Sequence, residues 1–376
     1  MQKYPEIEPK IRFSRIQQMM EERGLDAMIF YSTQWKLEII HYVANLRLLG
    51  EDACVVLPKG GEPILLLSQP WDLERARAQS WIQEIEVCPG TALLERAGKL
   101  ARSMGEHIGV AGIEFMTAAK YADLQRELSG KTVTNEYSGL DEVAKVKTDW
   151  EVELMRESAR LADAAYLAEL NALRVGMSEY ELVAELEYAM KREGADENFQ
   201  NIGVGVGLPS MNRARENYVK MGDLILAEIT PVVGCITYAV QLCRTAKMGE
   251  ATELEREKYG LLCEALEHAM TKIKGGIKAK DIAIWQNDII GAAGYEKYCH
   301  PPFMRSRGHN FGLGYIDLSE TNEEILRPNT VLVVHPNQKI PEIGYLVCGE
   351  TVLITETGVE RLSKIPPKLH EVQPMQ

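Results

Sequence analysis

Apolar residues recur with two different periods along the first third of the chain, and the switches between them predict alternating helices and strands. Ile11, Ile16, Met19 and Met20 fall on one side of a helix within residues 9–30, and Arg23-Gly24-Leu25 supplies its stop. Ala27-Met28-Ile29-Phe30-Tyr31 then reads as a strand. Ala53–Leu57 and Ile64–Leu67 read as a hairpin, because Pro58-Lys59-Gly60-Gly61-Glu62-Pro63 between them is turn chemistry. Helices are expected over 91–105 and 116–128, with a strand near 107–112 between them. Such alternation predicts an α/β domain.

Residues 130–147 read as a linker, and beyond them the pattern changes to long helices. Thr148-Asp149-Trp150-Glu151 reads as a capping box opening one of these, with Val152, Met155, Ala159, Ala162 and Tyr166 on a single face. Ser178-Glu179-Tyr180-Glu181 repeats the signal after a stop at Val175-Gly176, and that second helix is expected to end near Gly194. Strands follow around 223–249, then a helix over 252–274 and a shorter one from Asp281. Strands near 330–335 and 347–356 close the chain. By itself this half implies only an α+β domain.

Composition narrows the partners. The formal charge is 42 − 55 = −13, without an extended basic patch, so nucleic acid and acidic membrane surfaces are not expected. Apolar residues at 45% and charged ones at 26% suit a soluble two-domain protein of 376 residues. The seven cysteines lack CxxC spacing and are expected to be reduced thiols in a cytoplasmic protein. No secretory leader pattern opens the sequence, and no apolar stretch is long enough to span a membrane.

Three polar residues sit where chemistry is plausible. His309 lies in Arg-Gly-His-Asn-Phe-Gly, where Gly308 and Gly312 allow close backbone approach. His335 ends the strand-like run Val331–Val334 and would project toward a cleft. An imidazole titrating near neutrality is the default proton carrier; the alternative for each is a satisfied, half-buried histidine. Glu228 follows the apolar run Leu224–Ala227, so a carboxylate enters a buried strand and needs a partner or a raised pKa. A salt bridge with Arg244 or another arginine is its structural alternative.

In order, GDLILAEITPVVGCITYAVQLCRT, RSRGHNFGLG, VLVVHPN and GETVLITETG resemble the four active-site segments of the pita-bread fold. That family includes methionine aminopeptidase, aminopeptidase P, prolidase and creatinase. LDAMIFYSTQWKLEIIHYVANLR resembles the start of the creatinase-type N-terminal domain. DEVAKVKTDWEVELMRESARLADAA and RVGMSEYELVAELEYAMKREGADE resemble the first two helices of the catalytic domain. The resemblance implies an α/β creatinase-like N-terminal domain over 1–135 and an α+β pita-bread domain over 136–376.

It also implies a departure. The places of the family's two aspartates, histidine and two glutamates hold Glu228, Gln241, His309, His335 and Gly349. Two divalent metals need several hard anionic ligands, and Gln241 is neutral while Gly349 has no side chain. Glu350 is adjacent, but successive strand residues face opposite ways. A metal-free pocket is therefore expected, with no cofactor; a single metal on Glu228, His309 and His335 is the alternative. The histidine that the family places about a dozen residues before the first ligand is also absent, Ser210 or Met211 standing there.

Among family members the pattern is most similar to creatinase and ectoine hydrolase, which implies a metal-independent hydrolase of a C–N bond in a small, carboxylate-bearing nitrogenous metabolite. His309 or His335 would assist water attack, with Glu228 or Glu350 orienting the imidazole. Gln241, Tyr238, Arg307 and Arg47 are the expected substrate contacts, Arg47 reaching the neighbouring site in a homodimer. Solvated charge is the alternative for the arginines and simple packing for Tyr238. Cys243 and Cys348, near the site, read as small buried hydrophobes, with reactivity as the alternative. Two other functions stay open: an inactive binding protein, and an Xaa-Pro peptidase with a reduced one-metal site.

Overall fold

The computed structural model describes residues 4–373. Its first unit runs to Trp150 and takes in Gly234–Thr237 and Gly312–Gly314. The elements are α1 (Glu8–Glu22), β1 (Ala27–Thr33), α2 (Glu38–Ala44), β2 (Asp52–Pro58), β3 (Ile64–Leu67), α3 (Leu73–Gln79), β4 (Glu84–Val87), α4 (Ala92–Met104), β5 (His107–Ala111), α5 (Ala118–Glu127), β6 (Thr132–Asn135) and α6 (Tyr137–Ala144). The six strands make one sheet in the order β4-β3-β2-β1-β5-β6. Its hairpin pairs Ala53 with Leu67, as the turn residues predict. Ile29, Val56, Val110, Leu94, Ala97 and Leu124 share one core, where the sheet's apolar face meets α4 and α5.

The expected linker over 130–147 is instead β6 and α6. β6 is an edge strand, parallel to β5, and it buries little, so its polar sequence carries no apolar alternation.

The second unit comprises Glu151–Val233, Tyr238–Phe311 and Tyr315 onward. It is built from α7 (Asp149–Ala172), α8 (Glu179–Arg192), β7 (Glu197–Gly205), β8 (Leu224–Val232), β9 (Leu242–Met248), α9 (Glu253–Met270), α10 (Ala279–Ile290), β10 (Gly308–His309), β11 (Val331–Val334), β12 (Gln338–Ile340), β13 (Gly344–Leu346), β14 (Glu350–Ile354), β15 (Val359–Arg361) and β16 (His370–Val372). Ser178 caps α8 and Glu181 returns the bond, so this capping box forms as read. One four-stranded sheet runs β16-β9-β8-β7 and another β10-β11-β14-β15. An isolated bridge between Cys243 and Gly349 ties them together through paired main-chain bonds of 2.9 and 3.1 Å. The strand β7 was not expected. Asn198, Gln200 and Asn201 interrupt its apolar alternation, and it pairs along its length with β8, with a bridge from Ile202 to Asn212 on its other edge.

Candidate functional site

Strand β8 is buried along its whole length, so the carboxylate of Glu228 loses its water and must find donors inside the protein. Two carboxamides provide them. Asn201 Nδ2 donates to Oε2 at 3.0 Å and Asn337 Nδ2 to Oε1 at 2.8 Å. Burial pushes the Glu228 pKa up, and these two bonds oppose the rise. Across the ladder stands Cys243, whose thiol points at Glu228 Oε1 from 4.0 Å. Gln241, two residues back on the same face, donates Nε2 to Thr230 Oγ1 at 3.2 Å.

The next residue along β9 turns the other way. Arg244 is buried and ion-paired with Glu350 at 3.0 Å, and Arg361 meets the same carboxylate at 3.2 Å. Arg244 thus pairs with Glu350 rather than with Glu228, and Glu350 is committed to that pair on the far side of the sheet.

The two histidines do come together. Antiparallel pairing of β10 with β11 sets His309 opposite Val333, two residues before His335, and the rings lie 5.4 Å apart, edge to face. His309 also packs edge-on against Phe311 at 4.9 Å. Its Nδ1 lies 3.1 Å from the Asn310 carbonyl, which can only accept, so Nδ1 carries the proton and Nε2 keeps a lone pair. Burial lowers the His309 pKa. Burial, then His309 and Arg307, bring His335 down to about 3. Both rings are therefore neutral at neutral pH, and the His335 Nδ1 has no partner among the described residues.

Gly349 is required by its surroundings. A Cβ built there would lie 2.4 Å from His335 Cβ and 2.6 Å from the Val334 carbonyl oxygen. No side chain fits, so the place of a carboxylate ligand is closed by the end of β11.

The metal pair implied by the family does not fit these residues. Gln241 offers a neutral carboxamide already bonded to Thr230, Gly349 offers nothing, and Glu228 is held by amides rather than aimed at a cation. No group of three His, Cys, Asp or Glu among the described residues could hold a metal ion, which also removes the one-metal set of Glu228, His309 and His335.

Beside His309 lies a cleft of about 580 Å³, lined also by Arg305, Arg307, Tyr315, Asp317 and Glu320. Its size suits a small ligand. Arg307 is buried and bonds only neutral acceptors: Asn287 Oδ1 at 2.6 Å, the Asn337 carbonyl at 2.7 Å and Gln338 Oε1 at 2.8 Å. Tyr238 is buried, its hydroxyl donating to Glu151 at 3.2 Å. Arg47 belongs to the first unit, where its main-chain N–H donates to Gln79 Oε1. Sequence reasoning missed Asn201 and Asn337. Asparagine in a strand carries no distinctive signal, and in His-Pro-Asn-Gln it reads as turn chemistry.

Comparison with known proteins places this geometry. A profile of metallopeptidase family M24 matches residues 153–356, and one of the Creatinase/Prolidase N-terminal domain matches 12–146. An Xaa-Pro dipeptidase of Pyrococcus furiosus is 26% identical over 379 residues, covering 96% of this chain and 99% of that one. An Xaa-Pro dipeptidase of Pyrococcus horikoshii is 25% identical over 95% of this chain and 98% of its own. The same architecture is seen in the X-Pro aminopeptidase from Thermotoga maritima, with a TM-score of 0.83, 21% identity and 96% and 99% of the two chains covered. These relatives overturn the expectation of a metal-independent hydrolase of a small nitrogenous metabolite. They are Xaa-Pro dipeptidases over essentially their whole length, which agrees with the peptidase alternative instead.

Proposed function

This chain belongs to metallopeptidase family M24 and carries a Creatinase/Prolidase N-terminal domain, and on that premise we propose that it is a peptidase acting on dipeptides of the Xaa-Pro type. The near full-length likeness to two Xaa-Pro dipeptidases carries the reading. A cleft of dipeptide size beside His309 supports it. Arg307, buried without a carboxylate partner, suits the free carboxylate of the substrate, and Arg47 of a second subunit would add to it in a homodimer. Exposed Trp35, Leu49 and Trp71 in the first unit favour such a partner. No helix among the described residues is long and apolar enough to cross a membrane, and all seven cysteines are free, in keeping with a reducing, cytoplasmic setting.

The chemistry assigned here uses only groups that the chain supplies. Neutral His309 takes a proton from water through Nε2 as the water oxygen attacks the scissile carbonyl carbon. The C–N bond then breaks and the proton passes to the leaving nitrogen. His335, whose Nδ1 is buried without a partner among the described residues, packs its neutral ring against His309. Glu228 accepts from Asn201 and Asn337 and fixes both carboxamides.

A second reading, a binding protein without turnover, is favoured by one observation: Gln241 and Gly349 leave the family's ligand set unfilled. Purified protein incubated with Gly-Pro, Ala-Pro and Leu-Pro, with and without manganese, cobalt or zinc, separates the two. Release of free proline that His309→Ala abolishes, with the fold intact by circular dichroism, supports the peptidase. Calorimetric binding of the same dipeptides without proline release supports the second reading. Neither release nor binding sinks both.

A further inference from the structure

A chain of polar side chains runs from the rim of the cleft to the arginine assigned to the substrate carboxylate. His300 heads it. Its main-chain carbonyl accepts from the N–H groups of Phe303 and Met304 at 3.0 and 3.1 Å, which fixes it at the start of a tight turn. Its ring sits between two carboxylates: Nε2 lies 2.8 Å from Glu296 Oε1, and Nδ1 lies 3.0 Å from Glu320 Oε2. Through its other oxygen Glu320 accepts from Asn287 Nδ2 of α10 at 2.8 Å. Asn287 Oδ1 then accepts from Arg307 Nε at 2.6 Å. His300, Glu320, Asn287 and Arg307 all line the cleft beside His309.

The network dictates where its protons lie. An ionised carboxylate only accepts, so two ring nitrogens that each face one must both carry hydrogen, and His300 is an imidazolium in this arrangement. The same rule turns the Asn287 carboxamide: its NH2 must face Glu320, which leaves its oxygen for Arg307. Arg307 is buried and makes no ion pair among the described residues, so the Glu320 charge acts on it from behind that amide.

We propose that His300, Glu320 and Asn287 are positioning residues for Arg307, and that the protonation state of His300 sets how firmly Arg307 is held. With His300 charged, Glu320 is pinned and Asn287 keeps its oxygen on Arg307. When His300 loses its proton, one of its two bonds becomes a contact between lone pairs. Glu320 then gains freedom, and Asn287 can turn. The charged groups facing the ring are Glu296, on the turn just before it, and Glu320 across the cleft; Arg305 and Asp317 line the same cleft. The Glu296 bond, then the Glu320 charge, raise the His300 pKa from its ordinary 6.5. The consequence for catalysis rests on Arg307 binding the substrate carboxylate; the relay itself does not.

The test follows the Arg307 Nε–H signal by nuclear magnetic resonance in deuterated full-length protein, from about pH 5 to about pH 9. The expected result is a shift with the same midpoint as the His300 ring nitrogens. It should vanish in His300→Gln, whose amide still donates to Glu320 but does not titrate. It should vanish also in Glu320→Ala, where His300 titrates at a lower midpoint. An Arg307 signal that does not move with His300, or that moves equally in His300→Gln, overturns the inference. With Ala-Pro as substrate, Glu320→Ala should raise KM about two- to tenfold while kcat stays within about twofold. Turnover with an unchanged KM overturns the positioning role. Linked titration without any dipeptide turnover supports the relay and sinks the peptidase reading instead.

Discussion

The two faces of the β8–β9 ribbon handle buried charge in opposite ways. On one, Glu228 makes no ion pair among the described residues and is held by two carboxamides. On the other, Arg244 and Glu350 form a buried ion pair to which Arg361 adds a second guanidinium. Neutral donors can be exchanged for a ligand's at modest cost, whereas separating a buried ion pair strands a charge. The amide-lined face can therefore bind and release, and the ion-paired face serves as its fixed support. On the helix side, Glu169 of α7 fits neither pattern, since it is buried and neither carboxylate oxygen has a partner among the described residues.

Removing the cation from the supporting face gives the largest expected effect. Arg244→Met leaves Glu350 without its main partner and should cost about 3–5 kcal/mol in urea unfolding of the second unit. A loss below about 1 kcal/mol would mean that the pair contributes nothing to the support.

Glu169 sharpens the contrast through pH. Burial raises its pKa from 4.5 to about 8. Between those values the unfolded chain has released the proton while the folded one keeps it, so stability falls as pH rises through that window and levels off above it. The loss is on the order of 5 kcal/mol. Glu169→Gln should flatten this slope, read as urea midpoints at pH 5 and pH 9; an unchanged slope would assign the pH dependence elsewhere.

Gly349→Ala tests how tightly the site face is closed. It should cost up to about 3 kcal/mol, and adding His335→Ala should not restore it, because the Val334 carbonyl still lies 2.6 Å from the new Cβ. Recovery by the second change would locate the clash in the imidazole alone.

Glu228→Gln is the mildest, at about 1 kcal/mol. Asn337 is fixed by its bond from the Cys348 N–H, but Asn201 can turn its carboxamide to accept from the new amide. A loss as large as that of Arg244→Met would erase the distinction between the faces.

Legibility in the sequence followed burial. The β2–β3 hairpin announced itself through Pro58-Lys59-Gly60-Gly61-Glu62-Pro63, and α8 through Ser178 and Glu181, because turns and caps are local chemistry. β6 and β7 did not, since one is an exposed edge and the other carries asparagines where an apolar alternation would stand. The pairing of His309 with His335 was visible only through the resemblance of their segments. Asn201, Asn337 and Glu169 gave no signal, because what sets their behaviour is the company they keep across strands. The substrate was misjudged for a related reason: absent ligands were read as a change of substrate, while the rest of the chain kept its likeness to dipeptidases.

The close approach of β11 to Gly349 limits what can be built there. The obstruction at 349 comes from main-chain and Cβ atoms of residues 334 and 335, so a carboxylate cannot be placed there by one substitution or by trimming its neighbour. The strand end itself would have to move, and with it the His335 ring that faces His309. An acidic side chain at 349 therefore demands several coordinated changes around the end of β11, each unfavourable alone.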